Sequence, residues 1–128
     1  MTHTILLIED NLGISANMKS LLELHEYDVL TAHNGADGAS IAKAQRPDLV
    51  ISDIYMPSCD GYELLDMFLE DEEMRDIPVI MVSGRAEMSD ADLAISKGAA
   101  GYMTKPFMFK SLHATIRKVL DARHEPVA

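Results

Sequence analysis

At 128 residues the chain is one ordinary domain, long enough to bury a full core, and its 48% apolar and 25% charged residues match a globular protein. A formal charge of −10 excludes a nucleic-acid surface, which needs a basic face, and suits a basic or metal-bearing partner. The single cysteine, Cys59, rules out an internal disulfide and points to an intracellular, cytoplasmic setting; no basic signal region opens the chain and no apolar run reaches membrane-spanning length.

In chain order, residues 5–8 form a first buried strand that ends on Glu9-Asp10. An amphipathic helix follows, with Ile14, Met18, Leu21 and Leu22 on its inner face. Residues 28–32 are a second strand, at the sheet edge. Asn34-Gly35 turns the chain into a small-residue helix through Ala39 and Ala42, which Pro47 closes. The third strand, residues 49–53, is an apolar, β-branched run buried on both faces that ends on Asp53. A loop over residues 57–61 carries Cys59, an inert thiol because no basic neighbour lowers its pKa. Leu64, Leu65, Phe68 and Leu69 mark the inner face of a third helix, and the acidic run 70–73 is its solvated end. Pro78 opens a fourth strand, residues 79–82, ending on Ser83-Gly84. An acid-rich helix with Ala91, Ala94 and Ile95 inward is stopped by Gly98. The fifth strand, residues 100–104, runs into Lys105-Pro106, and a last helix turns Leu112, Ile116, Val119 and Leu120 inward. Residues 1–122 make the domain, and 123–128 are a tail or the start of a linker.

Five strands alternating with five helices predict an α/β fold with a parallel sheet covered on both faces. Right-handed crossovers then send every strand's carboxyl end to one rim. That rim receives Glu9 and Asp10, Asp53, Ser83 and Lys105. Each alone has a plain structural role: acids near a helix start, a helix cap, a surface lysine. Together, three acids at one rim repel and lose solvation, so a positive partner is expected there. Mg²⁺ meets that need, since it binds one or two carboxylates and completes its shell with water and phosphate oxygens. Asp53 is then an ionised nucleophile toward phosphorus. Asp10 holds the metal directly, Glu9 directly or through water, Lys105 pairs with the incoming phosphoryl group and Ser83 donates to one of its oxygens. After the first strand no glycine-rich phosphate cradle follows, which counts against a nucleotide or flavin site.

These residues resemble the receiver domain of bacterial two-component response regulators, from about Thr4 to Leu120. Glu9-Asp10, Asp53, the Met56-Pro57-Ser58-Cys59-Asp60-Gly61 loop, Ser83, Gly98-Ala99 and Lys105-Pro106-Phe107 carry the resemblance in order and spacing. It implies a flavodoxin-like sheet of order 2-1-3-4-5 and phosphoryl transfer to Asp53 from a histidine kinase or histidine phosphotransfer protein. It also implies Mg²⁺ on the acid pair, Asp53 and the Tyr55 backbone carbonyl, and a cis Lys105–Pro106 bond. A switch pairing Ser83 with Tyr102 would remodel the fourth-helix, fifth-strand and fifth-helix face toward an unidentified downstream protein target. A homodimer through that face finds no apolar stripe in the sequence. Gly84 departs from the alanine usual in that family, and the resemblance implies that Tyr55 and Arg85 occupy positions whose side chains flank the phosphoryl site.

The leading reading is therefore a signalling switch that acts only on its own phosphorylation state, without direct nucleic-acid or membrane binding. The alternative is a receiver-like protein-binding module that works without phosphorylation; the intact acid pair, Asp53, Ser83 and Lys105 speak against it. An aspartyl-nucleophile phosphatase would need a second Asp two residues after the nucleophile, where this chain has Tyr55.

Overall fold

The computed structural model describes residues 2–84 and 88–124. Its elements alternate as β1 (Thr4–Ile8), α1 (Leu12–Leu24), β2 (Asp28–Ala32), α2 (Gly35–Gln45), β3 (Leu49–Asp53), α3 (Gly61–Glu70), β4 (Val79–Ser83), α4 (Met88–Ser96), β5 (Gly101–Thr104) and α5 (Phe109–His124). The strands pair in parallel in the order β2-β1-β3-β4-β5, the flavodoxin-like arrangement. The predicted elements are all present, with small shifts. β4 takes in Ser83, β5 begins at Gly101, and α5 continues to His124, into the stretch expected to be tail.

Successive strand residues point to opposite faces, so two cores form, one on each side of the sheet. Leu6, Ile8, Val50 and Met81 pack with Ala39, Leu64, Phe68 and Ala94, which come from α2, α3 and α4. Ile5, Leu7, Ile51, Ile80 and Val82 pack with Met18, Leu22, Leu112 and Ile116, which come from α1 and α5. Both cores stop at the same rim.

Three inward assignments are corrected: Ile14, Leu69 and Ile95 are exposed. α1 packs through Ser15, Met18 and Leu22, and a small hydroxyl takes the place that periodicity gives to Ile14. Leu69 lies at the edge of α3 beside Gly98, where the chain leaves α4 with φ of 103°. α4 is short and reaches the core through the small Ala94, which leaves Ile95 outside. The acidic run 70–73 is more than a solvated helix end. Asp71 caps α3 and accepts from Lys43 of α2 at 3.1 Å, and Glu73 pairs with Arg46 at 3.4 Å. Exposed pairs of this kind contribute little stability.

Phe68 carries the packing of α3 and is 1% exposed. Phe68→Ala is expected to cost about 3–5 kcal/mol by transfer loss plus the cavity left behind. Urea unfolding at neutral pH checks this, with the midpoint falling and the slope unchanged.

Candidate functional site

Register fixes the site. Asp53 is the last residue of β3 and stands opposite Val82, so Ser83 projects one step beyond it. Glu9 follows β1, and Lys105 follows β5. The Lys105 Nζ donates to Glu9 Oε1 at 2.7 Å and to Asp53 Oδ2 at 3.1 Å. Glu9 Oε2 also accepts the Asn11 backbone N–H at 3.2 Å. One carboxylate oxygen from each of Glu9, Asp10 and Asp53 lies within 4.8 Å of the others. Glu9 is buried, Asp53 half-buried and Asp10 exposed, so the cluster opens to solvent on the Asp10 side.

The structural roles that would explain these acids away are taken by other residues. The side chains that accept from the first-turn N–H groups are Asn11 for α1, Asn34 for α2 and Asp60 for α3. Asp53 therefore caps no helix among the described residues, and Ser83 is a strand residue well before α4 begins. The loop after Asp53 closes through Gly61, whose N–H donates to the Ile54 carbonyl at 2.6 Å. A Cβ at Gly61 would stand 2.7 Å from the Asp53 carbonyl oxygen and 2.9 Å from Ile54 Cα, so only glycine lets the loop return this tightly. Burial, then the acids Glu63 and Asp60, push the Cys59 thiol up, in keeping with an inert loop cysteine.

Beneath the acids, Met18, Ile51, Val82 and Phe107 help line a cavity of about 20 Å³, so one side of the pair faces apolar groups. Burial, followed by the hydrogen bond and charge of Glu9, pushes Asp53 up to about 7, against the pull of Lys105. Burial also pushes Glu9 up, but the hydrogen bonds from Lys105, Asp53 and the Asn11 N–H outweigh it and leave Glu9 below its usual value. Lys105 loses solvation, yet the two acids hold its pKa above the ordinary lysine value. Of the two, Asp53 is the acid that holds a proton more readily and Glu9 the one that ionises first. One ammonium is too little charge for three acids. The donor set is all carboxylate oxygen, with no thiolate or imidazole in the cluster, which fits a hard divalent cation such as Mg²⁺.

The remaining predicted residues lie on or near the same rim. Ser83 is fully buried, and its carbonyl accepts the Lys105 backbone N–H at 2.7 Å. Tyr102 is half-buried opposite Met81 and shares a sheet face with Ser83. Tyr55 is exposed in the loop after Asp53, and the Lys105–Pro106 bond is cis. At Gly84 an added Cβ would meet nothing within 4 Å, so the glycine is not demanded by space. Arg85 lies outside the described residues. Sequence reasoning missed His33, whose Nδ1 lies 3.1 Å from the Glu9 carbonyl oxygen. Its signal was its place directly after β2, a strand from which no rim residue was expected.

The sequence matches the response regulator receiver domain family over residues 5–117. It is 35% identical to the protein PilH of Pseudomonas aeruginosa, over 91% of this chain and 96% of that protein. It is 34% identical to the DNA-binding dual master transcriptional regulator RpaA of Synechocystis sp., over 91% of this chain but only 48% of RpaA, so it spans about half the length of such relatives. The crystal structure of a response regulator receiver domain protein from Clostridium thermocellum superposes with a TM-score of 0.88 at 30% identity, covering 94% of this chain and 96% of that one.

The raised Asp53 makes a stability prediction. Its folded pKa of about 7 exceeds the ordinary 3.8, so across that window the folded state binds more protons than the unfolded state. Stability is therefore lost as pH rises from about 4 to about 7, and the penalty is full above that. Asp53→Asn is expected to be about 2–3 kcal/mol more stable than wild type near pH 8 without divalent cations, with the gain shrinking toward pH 5. Urea unfolding of both proteins across that range tests it.

Proposed function

This chain belongs to the response regulator receiver domain family, a phosphoryl-accepting signalling module, and from that membership we propose that Asp53 is its acceptor. The observation that carries the assignment is the contact of Lys105 with both Glu9 and Asp53 at the mouth of the acid cluster. Of the three acids, Asp53 alone combines a strand-end position, a direct lysine partner and a raised pKa.

Asp10, Asp53 and the main-chain carbonyl of Tyr55 are the proposed ligands for Mg²⁺, with Glu9 binding directly or through water. When bound, the ion supplies neutralisation of charge on the phosphoryl oxygens. Asp53 must be ionised to attack, and a divalent cation held by these carboxylates would favour that ionised form. An Asp53 oxygen then forms the bond to phosphorus while the bond to the donor imidazole nitrogen breaks. Lys105 turns from Asp53 to the arriving phosphoryl group, a short movement from its present position between two acids. The Ser83 hydroxyl donates to a phosphoryl oxygen, and Tyr102, on the same sheet face, follows it inward.

The donor is a histidine kinase or histidine phosphotransfer protein. Its approach is over the groove beside Lys105, whose walls include Ile14, Phe107 and Phe109. The output is a change in the face formed by α4, β5 and α5, read by a downstream protein target. The chain works on its own acyl phosphate and on no external metabolite. Among the described residues no helix is long and apolar enough to cross a membrane, and the acidic surface suits a cytoplasmic protein partner.

Intact mass after incubation with acetyl phosphate tests the assignment. Wild type with Mg²⁺ is expected to gain one phosphoryl group, and to gain none without Mg²⁺ or as Asp53→Asn. No adduct on wild type, with beryllofluoride also failing to bind, would replace this reading with a phosphorylation-independent binding module.

A further inference from the structure

We propose that His33 is a positioning residue that sets the orientation of the Glu9–Asp10 pair for cation binding; this rests on the Mg²⁺ site described above. Glu9 is 4% exposed, so both polar groups of its backbone need partners inside the protein. Its N–H donates to the Ala32 carbonyl at 3.0 Å. Its carbonyl lies outside the helix, because α1 is capped by Asn11 and its ladder begins with Ser15 N–H donating to the Asn11 carbonyl. The His33 ring meets that carbonyl, with Nδ1 at 3.1 Å from the oxygen. Two consecutive residues at the end of β2 therefore hold both backbone groups of Glu9.

A carbonyl oxygen only accepts, so the contact requires hydrogen on Nδ1. The direction matters for the site. The Glu9 carbonyl and the Asp10 nitrogen belong to one planar peptide unit. Holding its oxygen fixes the plane from which Asp10 departs, and so fixes the angle between an exposed carboxylate and a buried one. The same corner also braces the loop on the other side of the cluster. Gly35 packs so closely on Cys59 that an added Cβ would stand 2.7 Å from the Cys59 carbonyl oxygen. The turn from β2 into α2 thus touches both acid-bearing loops, although it contributes no acid itself.

His33 is exposed on its outer side, so replacing it removes one hydrogen bond and little packing. Isothermal titration calorimetry with Mg²⁺ on wild type, His33→Leu and His33→Asn tests the role, with thermal unfolding as the check on folding. His33→Leu is expected to bind Mg²⁺ about tenfold more weakly, as loss of an outer-shell partner does. His33→Asn, whose amide N–H can stand in place of the ring Nδ1–H, is expected to recover most of that loss. Unchanged affinity in His33→Leu, or equal weakening in both variants, overturns the proposal. Absence of Mg²⁺ binding by wild type overturns the metal site itself and this inference with it. A measurement on wild type needs no variant: the ¹⁵N shifts of the neutral His33 ring should place the proton on Nδ1, and a proton on Nε2 alone overturns the contact.

Discussion

Carboxylates gathered at one sheet edge must be neutralised, shared with protons or held apart, and this protein uses the first two at once. Lys105 spans Glu9 and Asp53, which stand at the ends of the adjacent strands β1 and β3, and burial with Glu9 beside it raises the Asp53 pKa and favours a proton there. Each part depends on the others. Without Lys105 the pair would hold two acids against an apolar floor, where desolvation disfavours charge. Without Glu9, Asp53 would lose the second of the two influences that raise it, after burial, and would keep Lys105 to itself. The arrangement is short of positive charge, with one ammonium facing three carboxylates, a shortage that a divalent cation would correct.

The destabilising acid at the rim is tolerated because the rest of the fold is conventional. Two apolar layers cover both faces of a parallel sheet, and the helix starts at the rim carry their own caps in Asn11, Asn34 and Asp60. Capping those helices with other side chains leaves Asp10 and Asp53 without a capping role there, while Glu9 accepts only the Asn11 N–H before α1. A strand-end acid with no helix to cap and a penalty at neutral pH is one the fold alone does not explain.

Much of this was legible in the sequence because its signals are local. Short apolar runs leading to Glu9 or Asp53 identify buried parallel strands, and the helices between them require one common rim. The Met-Pro-x-x-Asp-Gly loop shows its reason only in three dimensions, where Asp60 caps α3 and Gly61 sits against the Asp53 carbonyl. The inner faces of helices were less legible. Periodicity places Ile14, Leu69 and Ile95 inward, but a helix lying on a twisted sheet covers it with a narrower stripe than its apolar residues could fill, and Ser15 and Ala94 serve instead. His33 was out of reach for a different reason. Its contact spans 24 positions and is made to a backbone oxygen, so no side-chain pattern announces it.

The two faces of the sheet divide the work at the rim. Asp53 alternates with Ile51 and so belongs to the face covered by α1 and α5, while Ser83 alternates with Met81 and belongs, with Tyr102, to the face covered by α2, α3 and α4. A phosphoryl group on Asp53 would arrive on one side of the sheet, and a response by Ser83 and Tyr102 would appear on the other. Both sides meet only beyond the strand ends, where the sheet stops separating them. Lys105 occupies that meeting point: its side chain binds the acids, and its backbone N–H binds the Ser83 carbonyl at 2.7 Å. One residue is thus tied to the acids through its ammonium and to the opposite face through its peptide.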